Sequence, residues 1–118
     1  MMIETEKEDL TLQALSQFYG TEYYHKYLNA LLTDGVAYVM KNGYAWFISD
    51  VLIVSKMKLR NEEFLSIKLK LLGNDKAEMV ITNGNGKTLY TQEYKFTDAK
   101  RELSLYFVDN VMMLSSEY

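Results

Sequence analysis

The chain has 118 residues, 48% hydrophobic and 25% charged, with a net charge of −3. That suits one domain with its own core and excludes bulk disorder. The absence of cysteine excludes disulfides, thiolate nucleophiles and cysteine zinc sites, and the acidic balance argues against a duplex nucleic-acid binder, whose affinity rests on phosphate neutralisation.

The start, MMIETEKEDL, lacks the apolar run of a secretory signal. The longest apolar stretch, Tyr44–Val54, is interrupted by Ser49 and Asp50 and is too short to span a bilayer. A cytoplasmic protein with no membrane partner is expected. Thr5-Glu6-Lys7-Glu8 reads as a capping box, and Leu10, Ala14, Leu15 and Phe18 follow at helical spacing, so a helix is predicted over Thr5–Tyr19 and stopped by Gly20. In Glu22–Leu32 the tyrosines favour a short strand pair bent at Asn29-Ala30.

Gly35–Ser55 admits two readings. Asn42-Gly43 between apolar runs is a strong hairpin signal, but the same dipeptide also ends helices. In the helical version Val36–Lys41 and Ala45–Met57 are two helices, with Trp46, Asp50 and Ile53 on one side of the second and Phe47, Val51 and Val54 on another. Lys56-Met57-Lys58-Leu59-Arg60 then reads as a helix C-terminus, where cations suit the macrodipole. Further on, Leu65, Ile67, Leu69 and Leu71 alternate with polar residues as in a half-buried strand. Asn83-Gly84-Asn85-Gly86 marks a hairpin between Ala77–Thr82 and Lys87–Phe96, and Asp109-Asn110 marks another between Leu103–Phe107 and Val111–Leu114. The expected class is α+β: a single domain over 1–118, with an antiparallel β-meander of about five strands, an N-terminal helix and a two-helix segment packed on one face. The last strand would be an unpaired edge, which favours a homodimer.

Six of the ten tyrosines, the single histidine and the single tryptophan lie in 17–50. Glu22, Tyr23, Tyr24, His25, Tyr27 and Trp46 are the candidate binding residues, because tyrosine and tryptophan offer apolar area with a polar tip. Histidine is the side-chain type suited to proton transfer near neutral pH, and His25 could pair with Glu22 if that stretch were helical. A catalytic set needs a nucleophile or pocket beside it, and none is legible. Thr33-Asp34 reads as a helix cap ahead of any metal role, and one histidine cannot build a usual catalytic zinc site. Asn83-Gly84-Asn85-Gly86 lacks the phosphate-loop pattern. No cofactor or metal is expected.

Phe18, Gly20-Thr21-Glu22, Tyr24, His25, Thr33-Asp34-Gly35-Val36, Tyr38, Ala45, Trp46 and the ending Leu114–Tyr118 resemble a small bacterial and phage domain family of unknown function, over nearly the whole chain. The resemblance favours the helical version of Gly35–Ser55, with the family's Trp and Asp at Trp46 and Asp50. It carries no catalytic residue across. Members often have a proline where this chain has Ser115. The association of the family with plasmids and phages implies an accessory role on a mobile element. The expected function is non-enzymatic protein–protein binding, with anti-defence action as one form. A nucleotide-like ligand stacked on Tyr23, Tyr24 and Trp46, with His25 and Lys26 at its phosphate, is the alternative, and an enzyme using His25 is the third.

Overall fold

The structure, a computed structural model, describes residue 15 and residues 17–118. The helix expected over Thr5–Tyr19 therefore falls mostly outside the described residues, and 17–20 are irregular. The elements are β1 (His25–Tyr27), β2 (Ala30–Leu32), α1 (Asp34–Val39), a wide turn at Met40–Tyr44, α2 (Ala45–Met57), β3 (Phe64–Gly73), β4 (Lys76–Asn83), β5 (Thr88–Tyr94), β6 (Leu103–Val108), β7 (Val111–Leu114) and a single 3₁₀ turn at Ser115–Glu117.

Gly35–Ser55 is helical. Asn42-Gly43 acts as a helix end: the Asn42 side-chain amide donates to the Tyr38 carbonyl at 2.8 Å, and Gly43 takes φ +107, a conformation that costs glycine nothing. The decisive force is burial. Phe47, Ile48, Val51, Leu52 and Val54 of α2 are buried, a spread around the helix that an alternating strand cannot present to one layer. On α2, Trp46, Asp50 and Ile53 keep partial exposure while Phe47, Val51 and Val54 face inward, as the spacing predicts.

Among the described residues the sheet has seven strands, in the order β1-β2-β7-β6-β3-β4-β5. Two expectations are corrected. The five expected strands are present, but they do not form a meander: β6 pairs with β3 and not with β5, which makes β3–β6 a Greek key. Tight turns join β3 to β4, β4 to β5 and β6 to β7, but no such turn joins β5 to β6, and the segment 95–102 carries the chain back across. Second, the sheet is mixed. The segment 25–32 adds β1 and β2, and β2 lies parallel to β7, with Leu31 N–H donating to the Asn110 carbonyl at 2.9 Å and Thr33 N–H to the Met112 carbonyl at 3.1 Å. The last strand is thus covered on both sides, which removes the open edge on which a homodimer was argued. The β1–β2 turn falls at Leu28-Asn29, one residue before the expected bend, with both residues at positive φ.

The core lies between the helices and one face of the sheet. Leu32, Leu65, Ile67, Leu69, Met79, Ile81, Leu105 and Met112 supply the sheet side and are essentially out of water. Burying each such side chain contributes roughly 1.5–3 kcal/mol before entropy is counted. Both edge strands reach α2: the Tyr27 hydroxyl of β1 meets Ser49 Oγ at 2.7 Å, and the Tyr94 hydroxyl of β5 donates to Asp50 Oδ2 at 2.9 Å. Since Ser49 and Asp50 are consecutive, the sheet curls around the helix.

Candidate functional site

Three sequence-distant segments meet at the start of α1. Thr33 caps the helix, its Oγ1 accepting from Val36 N–H, and donates to Glu117 Oε1 at 2.6 Å. The Glu117 carboxylate also accepts from Gly35 N–H at 3.0 Å and from Leu114 N–H at 2.9 Å, so it holds both the helix start and the end of β7. A Cβ on Gly35 would lie 2.7 Å from Glu117 Oε1 and 2.7 Å from Leu114 Cδ1, so the approach of the C-terminal turn requires glycine here. Ser116 Oγ donates to the Phe18 carbonyl at 2.6 Å, and the Tyr118 ring packs edge-on against Phe64 and Tyr106. The tail is therefore fixed without a proline at Ser115.

Asp34 organises the other side of this clamp. Its backbone N–H donates to Thr21 Oγ1 at 2.8 Å, its Oδ2 accepts from Glu22 N–H at 3.0 Å, and its Oδ1 lies 2.8 Å from His25 Nε2. The His25 hydrogen bond, with help from the Glu22 amide, holds the Asp34 carboxyl below the usual aspartate range. The histidine's partner is Asp34 and not Glu22: the stretch is extended, which sends residues 22 and 25 to positions without the i, i+3 relation of a helix. A His–Asp pair can orient an imidazole for proton transfer. Here the same carboxylate also positions the loop, and among the described residues the His25 ring bonds to Asp34 alone.

The six sequence candidates separate into three environments. Glu22, Tyr23 and Tyr24 are exposed on the loop that Thr21 and Asp34 pin. His25 and Tyr27 lie on β1 and point to the helix side, toward Asp34 and Ser49. Trp46 sits apart from them at the start of α2. Its indole N–H donates to the Gly43 carbonyl at 2.9 Å, and its ring meets Tyr94 edge-on with centroids 5.0 Å apart. Burial and the Asp50 carboxylate push the Tyr94 phenol far above its ordinary range. Asp34, Glu117 and Tyr94 were not among the sequence candidates. Glu117 had one signal, the Ser-Glu-Tyr ending of the resemblance; Asp34 and Tyr94 could not be paired with His25 and Trp46 without the fold.

Among the described residues no group of three His, Cys, Asp or Glu side chains is placed to hold a metal ion. No helix among them is long and apolar enough to cross a membrane. No curated protein and no solved structure matches this chain. A family model covers residues 9–118. The segments that carried the resemblance, Gly-Thr-Glu, Thr-Asp-Gly-Val and Ser-Glu-Tyr, are the three that the clamp joins, and the chain belongs to this family of unknown function, DUF6876.

Proposed function

We propose that this is a non-enzymatic interaction protein that binds a protein partner through the rim formed by residues 19–28. The observation that carries the reading is the exposure of large side chains on a segment that is held in place. Tyr19, Tyr23, Tyr24 and Leu28 are 84%, 67%, 59% and 47% exposed. The loop beneath them is tied through Thr21 and Asp34. Tyrosines on an ordered loop lose little entropy on binding and present apolar area with hydrogen-bonding tips. Leu28 adds a second cost: it stands at φ +50, where a branched side chain is strained, and still faces water. Stability alone favours Asn or Gly at that turn position.

The setting we infer is an accessory role on a bacterial or phage mobile element, with anti-defence action as one form; this rests on the family resemblance alone. The acidic chain suits a basic surface on the partner. A nucleotide-like ligand stacked jointly on Tyr23, Tyr24 and Trp46 has less support, because Trp46 packs against Tyr94 of the opposite edge strand. Catalysis by His25 has less support too, because among the described residues the ring is hydrogen-bonded to the Asp34 carboxylate and to no nucleophile.

Photo-crosslinking in a bacterial host tests the reading. A crosslinker at position 24 or 28 gives a discrete adduct with one host protein, the same crosslinker at Lys87 gives none, and Tyr19→Ser/Tyr23→Ser in the same chain removes the adduct without lowering Tm. The same adduct pattern from position 87, or none from 24 and 28, would overturn it.

A further inference from the structure

A second, unrelated surface lies at the other rim. Trp46, Tyr94 and Phe96 line an open cavity of about 620 Å³ between the start of α2 and the segment 95–102. The indole and phenol stand nearly perpendicular, at 77°, as two adjoining walls. Phe96 is a large apolar side chain, 92% exposed among the described residues. Its segment is anchored at both ends: Thr97 N–H donates to the Asp75 carbonyl at 2.9 Å, and the amides of Lys100 and Arg101 donate to the Tyr44 hydroxyl at 3.1 Å. The cavity also carries Asp75 and Asp98 against one cation, Lys100, so its polar lining is negative on balance.

The chemistry of these walls selects a ligand class. The Trp46 N–H is already bonded to the Gly43 carbonyl, so the indole offers no donor, only the part of its π system that Tyr44, Phe47 and Tyr94 leave uncovered. Tyr94 donates its proton to Asp50, which enriches its ring in electron density and sets a third carboxylate behind it. Ring faces and carboxylates repel an anion and attract a cation. A flat neutral ligand needs parallel walls, whereas walls at right angles enclose a rounded group. A primary ammonium would stay hydrated beside the Asp75 and Asp98 carboxylates, since the rings offer its N–H groups no acceptor to replace that water; a fully methylated ammonium has no N–H bonds to lose on moving against the rings. We infer that the Trp46–Tyr94–Phe96 corner binds a quaternary ammonium group, carried by a free small molecule of the choline type or by a trimethylated lysine side chain.

Trp46 is the single tryptophan, so its fluorescence reports directly on the corner. Titration of the full chain with choline should give a saturable change, and the neutral carbon isostere of choline should bind at least about tenfold more weakly. Phe96→Ala should weaken choline about fivefold and Asp98→Asn about threefold, with Tm unchanged, since both side chains are exposed. A short peptide with trimethyl-lysine separates the sources: binding tighter than choline, and lost in the unmethylated peptide, assigns the group to a protein; weaker binding assigns it to a small molecule. Absence of a saturable change, equal binding of the isostere, or indifference to Phe96→Ala overturns the proposal. Tyr19→Ser/Tyr23→Ser should leave the choline titration unchanged, which keeps this test separate from that of the 19–28 rim.

Discussion

The two rims of the curled sheet use their side chains in opposite ways. Around α1 the polar groups are spent on one another: Thr21, Thr33, Asp34 and Glu117 satisfy the amides of residues 22, 34, 35, 36 and 114. Around the start of α2 the aromatic rings of Trp46, Tyr94 and Phe96 line an open cavity. The first region held the residues that looked chemical in the sequence, a histidine with carboxylates nearby, and it is a clamp. The second joins Trp46 to Tyr94 and Phe96, two residues that carried no chemical signal in the sequence, and it is open. A titratable group is informative only once its hydrogen-bonding capacity has been counted, because a carboxylate that already accepts two or three hydrogen bonds has less left for a ligand.

Substitutions can break or sharpen this contrast. The largest effect belongs to Glu117→Ala, which strands the buried Thr33 hydroxyl and two amides; about 3 kcal/mol of stability should be lost in urea denaturation. Gly35→Ala comes next. The atoms its Cβ would meet are side-chain ends, but the Glu117 end is pinned by three donors, so room is made only by breaking them; a net loss of about 2 kcal/mol is expected even after the gain in helix propensity. Leu28→Gly should act in the other direction, adding about 1 kcal/mol by relieving the positive φ while weakening the partner adduct. At the opposite rim Phe96→Ala should change stability by less than about 0.5 kcal/mol, as an exposed side chain off the clamp. A loss comparable to that of Glu117→Ala would mean that both rims are structural.

The last expected effect is on pH. The Asp34 carboxyl is held below its ordinary value of 3.8, so the folded chain binds that proton less readily than the unfolded one. Its contribution to stability is therefore complete above that value and is lost as the pH falls through the lower, folded one. Chemical denaturation across pH 3–7 should show a downturn at the acid end, and Asp34→Asn should flatten it; an unchanged acid limb in the variant would detach Asp34 from the clamp.

Much of the architecture was legible because its signals are local. Alternation in 65–71, the Asn-Gly turn at 83–86, the Asp109-Asn110 turn and the Thr33 cap each depend on a few neighbouring residues, and all appear in the structure. The helical version of 36–55 needed more than local pattern, since Asn42-Gly43 serves a hairpin and a helix end equally well. The strand order was not legible. No tight turn constrains the link from β5 to β6, so only the burial of Leu103 and Leu105 beside Leu69 and Ile67 places β6 next to β3. The same holds for the addition of β2 to β7, which depends on amides with no partner of their own in either segment.

By itself the sequence determined an α+β chain, the position of most turns, the amphipathic faces of the strands, and a tyrosine-rich segment too polar for the core. Tertiary structure decided which distant groups meet: His25 with Asp34, Glu117 with the start of α1, Trp46 with Tyr94. The reason is one of range. Turn chemistry and periodicity act over a few residues, whereas hydrogen-bond saturation and ring packing are settled only when segments far apart in the chain compete for the same space.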